Sequence, residues 1–222
     1  MAKNDWADNR AVIIGLGRFG GSLATELMRQ HTEVLALDTR PKVVDGYADR
    51  VTHAAVVDST DGDALRQLGV HRFKRAVVAI GTDLEASILT TSLLADFGVP
   101  IIWAKAVSRQ HASILERVGA HHVVLPEHDM GERVAHLVVG RMLDYIEFED
   151  DYTMVKTSPP AEAVGRSLSE SALRSKYDIT VVSIKRPGEG FTYATADTVV
   201  RPDDLLIVAG RSAYTERFAE LT

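Results

Sequence analysis

Ala11-Val12-Ile13-Ile14-Gly15-Leu16-Gly17-Arg18-Phe19-Gly20 is the stretch on which the fold turns. Four apolar, mostly β-branched residues run straight into a glycine loop with the spacing Gly-x-Gly-x-x-Gly, and from Ser22 to Gln30 the apolar residues return at helical intervals. A strand entering such a loop and a helix leaving it is the context in which three glycines bind phosphate. Gly15 permits the tight turn, Gly17 lets a diphosphate approach the backbone, and Gly20 lets the helix pack on the strand. The N-terminus of the helix supplies N–H donors and a positive dipole end. Asp38 closes the next apolar run, where its carboxylate would accept hydrogen bonds from a ribose. A carboxylate there also repels a 2′-phosphate and so disfavours NADP, although Arg40 keeps that exclusion from being complete.

Outward from this loop the same alternation recurs. Continuous apolar runs at Val34–Leu37, Ala54–Val57, Ala76–Ile80, Ile101–Ala104 and His122–Leu125 read as strands buried on both faces. Asp61–Leu68, Glu85–Phe97 and Gln110–Val118 have helical spacing. Six strands with crossover helices predict an α/β, doubly wound parallel sheet of the Rossmann type over residues 1–126. The segment Asp129–Phe148 reads as one long crossover helix within 127–150. Val134, Leu137, Val138, Met142, Tyr145 and Ile146 form its apolar stripe, which Val139 and Leu143 widen. Such a stripe fits a helix packed only on its own sheet or, because a broad stripe needs two surfaces to cover it, an intersubunit crossover, and the second reading favours an oligomer. Beyond the acidic patch Glu147–Asp151 the texture changes to short strands at Thr153–Thr157, Thr180–Ile184, Thr192–Val200 and Asp204–Val208. Ser167-Leu168-Ser169-Glu170 reads as a capped helix start and Pro187–Gly190 as a hairpin turn, giving a second, smaller α+β domain over 151–222.

Composition narrows the function. The 222 residues are 45% hydrophobic and carry 31 acidic against 25 basic side chains, a formal charge of -6 without a Lys/Arg stripe, so nucleic acid is not an expected partner. There is no cysteine, which removes disulfides and thiolate chemistry. Met1–Arg10 is polar, with no signal-peptide core, which points to the cytoplasm. The longest uncharged run, around Ala86–Ala95, is about half of the roughly 20 residues a membrane helix requires, so direct membrane insertion is not expected. All eight histidines lie at or before His136, and neither Gly-x-Ser-x-Gly nor His-Glu-x-x-His occurs. No catalytic constellation stands out, and the chain is not expected to be an enzyme.

Four charged positions near predicted strand ends invite a ligand. Arg18, inside the loop, could meet a terminal phosphate in bidentate fashion or lie solvated on the surface. Lys105 is the one charge in Ile101–Val107 and sits where open α/β sheets place ligands. Asp58, with Ser59 and Thr60, could hydrogen-bond a base or simply cap a helix. Glu127, after Pro126, could hold a hard cation against phosphate oxygens or be an ordinary acidic residue of a helix's first turn.

Taken together, the glycine loop with Arg18 and Phe19, the Asp38 strand end, Val56–Thr60, Ile80-Gly81 and His122–Gly131 resemble the regulators of potassium conductance, specifically the gating subunits of Ktr/Trk-type potassium uptake systems. The resemblance spans essentially the whole chain. Its more specific parts are the arginine in the loop and the Pro126-Glu127-His128-Asp129-Met130-Gly131 segment. It implies a ring of dimers, commonly an octamer, on the cytoplasmic face of a membrane-embedded potassium-translocating subunit, with ATP and ADP favouring different ring shapes. It also implies roles: Arg18 on the terminal phosphate of ATP, Asp38 with Thr39 and Arg40 around the ribose, Asp58 and Ser59 at the adenine. Lys105 would contact the phosphates, Gly15, Gly17, Gly20, Ile80 and Gly81 would line the site, and Glu127 would hold Mg²⁺ or another divalent cation near a dimer partner's nucleotide. In several relatives the C-terminal domain binds cyclic di-AMP, and Val164–Leu168 with Tyr177–Ile179 occupies the matching region. The alternative from the residues alone is an NAD(H)-binding redox sensor or a small NAD-dependent oxidoreductase, since NAD presents the same adenosine ribose to Asp38.

Overall fold

The computed structural model describes residues 9–138, 142–148 and 150–221, and the chain divides into two compact units, Met1–His128 and Asp129–Thr222. The first contains β1 (Arg10–Ile14), α1 (Arg18–Arg29), β2 (Glu33–Asp38), α2 (Pro41–Asp45), β3 (His53–Val56), α3 (Gly62–Gln67), β4 (Arg75–Val78), α4 (Leu84–Asp96), β5 (Ile101–Lys105), α5 (Arg109–Arg117) and β6 (His122–Val124). Its six strands are parallel, in the order β3-β2-β1-β4-β5-β6. The order reverses between β1 and β4, and that reversal is the topological switch point where such sheets bind ligands.

The apolar runs are continuous because alternate residues serve two cores. Val12 and Ile14 of β1, Leu35 and Leu37 of β2, and Ala76 and Val78 of β4 pack with Leu65 of α3, Leu94 of α4 and Leu115 of α5. Ala11, Ile13, Val34, Ala36 and Val77, one residue out of phase, pack on the other face with Ala24 of α1 and with Val43 and Tyr47. Burial on both faces therefore holds for the central strands. It does not hold at the edge strands β3 and β6, which have no buried residue, nor in β5 beside β6, where Ile101 and Trp103 are exposed while Ile102 and Ala104 are buried.

The second unit differs from the sequence reading in two places. The long helix over Asp129–Phe148 is not one helix: α6 (Pro126–Val138) is followed by β7 (Asp144–Phe148), which pairs with β8 (Tyr152–Thr157) in register Tyr145↔Val155. Over five residues helical and strand periodicities fit the same letters, and long-range pairing decides between them. Tyr145 and Met142 consequently enter the second core, Ile146 and Leu143 stay exposed, and Val139 lies outside the described residues, as do Met1–Asp8 and Glu149. Asp150 and Asp151 precede β8 with φ of 60° and 59°. The other difference is Thr192–Val200, of which only β10 (Phe191–Tyr193) is a strand; Val199 and Val200 make isolated bridges to Ser167 and Val164.

Elsewhere α7 (Leu168–Ser171) starts on a full capping box between Ser167 and Glu170, followed by α8 (Leu173–Tyr177), β9 (Thr180–Lys185), β11 (Leu205–Arg211) and α9 (Ser212–Ala219). The antiparallel sheet has the order β10-β9-β11-β8-β7 and buries Phe218 of α9 together with Leu173, Ile184 and Leu206.

Candidate functional site

The glycine loop is shaped by distances that only a missing Cβ allows. Gly15 has φ of +97°, and a Cβ there would lie 3.0 Å from the Ala79 carbonyl carbon and 3.1 Å from the Ile80 nitrogen. A Cβ on Gly20 would overlap the Gly15 carbonyl oxygen and lie 2.9 Å from the Ala79 Cβ. Gly17 is different: a Cβ there would meet nothing within 4 Å. Packing inside the protein thus requires Gly15 and Gly20, whereas Gly17 borders open space. Gly17 is also the N-cap of α1 with no side-chain cap, so the first-turn N–H groups of this helix are left to a ligand or to water.

Around that helix start lies a cleft of about 820 Å³, within the roughly 300–1,000 Å³ of small-molecule and cofactor sites. Gly15, Gly17, Arg18, Phe19, Asp38, Thr39, Arg40, Asp58, Ser59, Ile80, Gly81, Lys105 and Glu127 all line it. Gly20 does not, since it acts one layer below, between helix and strand. Thr82, Asp83, Ala86, Leu89 and Val107 also form the wall. Their signal in the sequence was positional only, since they follow the carboxyl ends of β4, which borders the switch point, and of its neighbour β5.

The cleft carries charge of both signs: Arg18, Arg40 and Lys105 line it together with the start of α1, and so do Asp38, Asp58 and Glu127. Lys105 Nζ lies 2.5 Å from Glu127 Oε1, with the lysine side chain 12% exposed and the glutamate 62% exposed. Its ammonium, helped by Arg18, holds Glu127 below the usual carboxylate range. Among the described residues no group of three or more His, Asp or Glu gathers for a metal, so a cation at Glu127 would need oxygens from a bound phosphate.

Asp38 is buried, and all four of its acceptor directions are used. Oδ2 accepts from Leu16 N–H at 2.8 Å and from Arg40 Nη2 at 2.9 Å; Oδ1 accepts from Arg40 N–H and Arg40 Nε, each at 2.9 Å. Burial pushes the carboxyl up, but the Arg40 guanidinium and the two backbone N–H groups outweigh it and hold it down to about 2.

Asp58 is not the cap of α3. That position belongs to Asp61, whose side chain accepts from Asp63 and Ala64 N–H. Asp58 instead folds an Asx turn, Oδ1 accepting from Thr60 N–H at 2.9 Å and Thr60 Oγ1 at 2.7 Å, and these bonds lower its proton affinity. Ser59 turns inward: its hydroxyl is bonded to Thr90 Oγ1 at 2.8 Å and tethers the loop to α4. In the second unit Val164–Leu168 and Tyr177–Ile179 form a capped helix, a hydrogen bond of 2.5 Å from Tyr177 to Glu162, and a buried Ile179.

Residues 11–126 match the TrkA-N domain and residues 152–222 the TrkA-C domain. The chain is 40% identical over 207 residues to the Ktr system potassium uptake protein C of Bacillus subtilis, covering 93% of this chain and 94% of that one. The chain belongs to the Ktr-type TrkA-N/TrkA-C family. Among solved structures this Ktr-type chain is similar to the GsuK RCK domain, with a TM-score of 0.65 and 16% identity over 99% of this chain and 48% of that one. It is likewise similar to the GsuK channel bound to NAD, with a TM-score of 0.54 and 22% identity over all of this chain and 39% of that one. At that identity both establish the shared fold, spanning under half of each longer chain. No helix among the described residues of the Ktr-type chain is long and apolar enough to cross a membrane.

Proposed function

We propose that the chain is a cytosolic, non-catalytic regulatory subunit of a potassium-uptake system, sensing ATP against ADP and acting on a membrane-embedded potassium-translocating partner. The observation that carries this reading is the set of residues that line the cleft. It offers an uncapped helix start with Arg18 and Lys105 for a polyphosphate, Asp38 for a ribose and Asp58 for a base, in a chain 40% identical to a potassium uptake protein. Met130, Val134 and Val138 on α6 are exposed, which supports a homo-oligomer, for which an octameric ring is our proposal.

A terminal phosphate can switch a protein only by interacting differently with its two states, and Arg18 and Glu127 with Mg²⁺ are the groups placed to do so. Arg18→Ala should weaken ATP by roughly tenfold to a hundredfold, the worth of a charge-assisted hydrogen bond, and ADP by much less. Equal losses for both nucleotides in a calorimetric titration would refute the assignment. Glu127→Gln should abolish most of the Mg²⁺-dependent gain for ATP and leave Mg²⁺-free binding intact, because Lys105 then faces no competing carboxylate. Retention of the full Mg²⁺ gain would move the cation elsewhere.

The second reading is an NAD(H) sensor, which the NAD-bound GsuK channel supports through the shared fold. Titration of the purified chain with ATP, ADP, NAD and NADH, each with and without Mg²⁺, separates the two. Tighter ATP that gains from Mg²⁺ supports the first, and preference for NAD or NADH the second. Cyclic di-AMP at the second unit is a further proposal, on its TrkA-C match. A calorimetric blank at high micromolar ligand would remove it.

A further inference from the structure

We propose that Arg40 is an internal competitor for the sugar subsite: its guanidinium occupies on Asp38 the two acceptor positions that a ribose diol would take, and must swing out for a ribonucleotide to bind. The inference rests on the nucleotide reading of the cleft. Of the four hydrogen bonds on Asp38, two come from backbone N–H groups, of Leu16 and Arg40, and two from the Nε and Nη2 fork of the Arg40 side chain. A carboxylate offers about four acceptor directions, so none is left for a hydroxyl.

The two kinds of bond are not equally mobile. Arg40 is the N-cap of α2 and Pro41 follows it at the first helical position, which fixes the local backbone and with it the N–H bond. The side chain is 60% exposed, whereas that of Asp38 is 5% exposed, so the guanidinium can rotate into water while the carboxylate stays in place. A ribose supplies two hydroxyl donors where the fork supplied two N–H donors. The exchange is one for one, and its consequence is a subsite that is never left as a bare buried carboxylate and that takes a sugar only when two adjacent hydroxyls replace the fork together. Arg40 is therefore a specificity-determining residue that sets the affinity scale for ribonucleotides.

The test is calorimetry on the full chain with ATP and with 2′,3′-dideoxy-ATP, which has no hydroxyl to offer Asp38 and leaves the fork closed. In Arg40→Met, which keeps an aliphatic stem without donors, the ratio of ATP affinity to dideoxy-ATP affinity should rise about fivefold, the scale of an exposed ion pair. Taking the ratio cancels any long-range pull of the arginine on the phosphates. Arg40→Lys, which keeps the charge and gives up the fork, should raise the ratio by less, roughly twofold. A ratio that stays constant or falls in both variants, with ATP still bound, overturns the competition and leaves the nucleotide reading standing. An unaltered chain that binds no adenine nucleotide overturns both.

Discussion

Gly20→Ala should destabilise the first unit by about 3 kcal/mol or more and lower its melting temperature by about 10 °C, while Gly17→Ala should melt within a few degrees of the unaltered chain and lose nucleotide binding roughly a hundredfold. The two glycines stand three residues apart in one loop, and the difference comes from what each faces. A methyl group on Gly20 would collide with the Gly15 carbonyl oxygen and the Ala79 Cβ. A backbone carbonyl cannot rotate away as a flexible side chain can, so α1 must lift from β1 and disturb the core that Ala24 shares with Ile13 and Ala36. Against a total stability of some 5–15 kcal/mol for a domain, that is a large fraction. Gly17 has an ordinary φ of -71° and open space where its Cβ would be. Alanine there costs only the modest preference of an N-cap for glycine, but the methyl group stands between the first-turn N–H groups and any diphosphate. Thermal unfolding and calorimetry on both variants check the pair. Unchanged nucleotide affinity in Gly17→Ala would mean that the phosphates do not approach the helix start.

The same contrast shows how far a sequence can be read. The glycine spacing announced the loop, and the first unit followed from it because Val12 and Ile14 feed one core while Ala11 and Ile13 feed the other, a pattern written in consecutive letters. The spacing of the motif also assigned Gly20 to helix–strand packing and Gly17 to the open approach, and a Cβ would meet the Gly15 carbonyl oxygen at Gly20 but nothing within 4 Å at Gly17. Tyr145 and Ile146 were misassigned to a helix because their partners, Val155 and Met154, lie across a hairpin whose pairing no local window contains. Ser59 and Asp58 were read as a pair, yet one hydroxyl is spent on Thr90, 31 positions away, while the other side chain folds a turn at the cleft. The Arg40 fork lay within reach of reasoning, two residues from Asp38, but the saturation of that carboxylate also depends on Leu16, 22 positions distant.

Asp38→Ala should reduce stability near neutral pH by on the order of 2 kcal/mol and remove a matching part of the chain's acid sensitivity. The carboxyl is held down to about 2 in the fold, against an ordinary value near 3.8. A depressed carboxyl contributes stability that is fully present above the unfolded value and disappears as pH falls toward the folded one. The unaltered chain should therefore lose this contribution between about pH 5 and pH 2. Other carboxylates held down by hydrogen-bond donors, among them Glu127 and Asp144, titrate over part of the same range, so the quantity to measure is the difference between the two chains. Urea midpoints taken at intervals from pH 7 to pH 2 should start apart and converge at the acid end. In the alanine variant the buried Leu16 N–H has lost its acceptor at every pH, a fixed cost that leaves a small gap even where Asp38 is protonated. Parallel curves would mean that the fold does not hold the carboxyl down. With convergence, the same variant tests the sugar subsite: a chain that has lost both Asp38 and the reason for Arg40 to fold back should bind ATP and 2′,3′-dideoxy-ATP with nearly equal affinity, because no group remains on which a ribose and an arginine can compete.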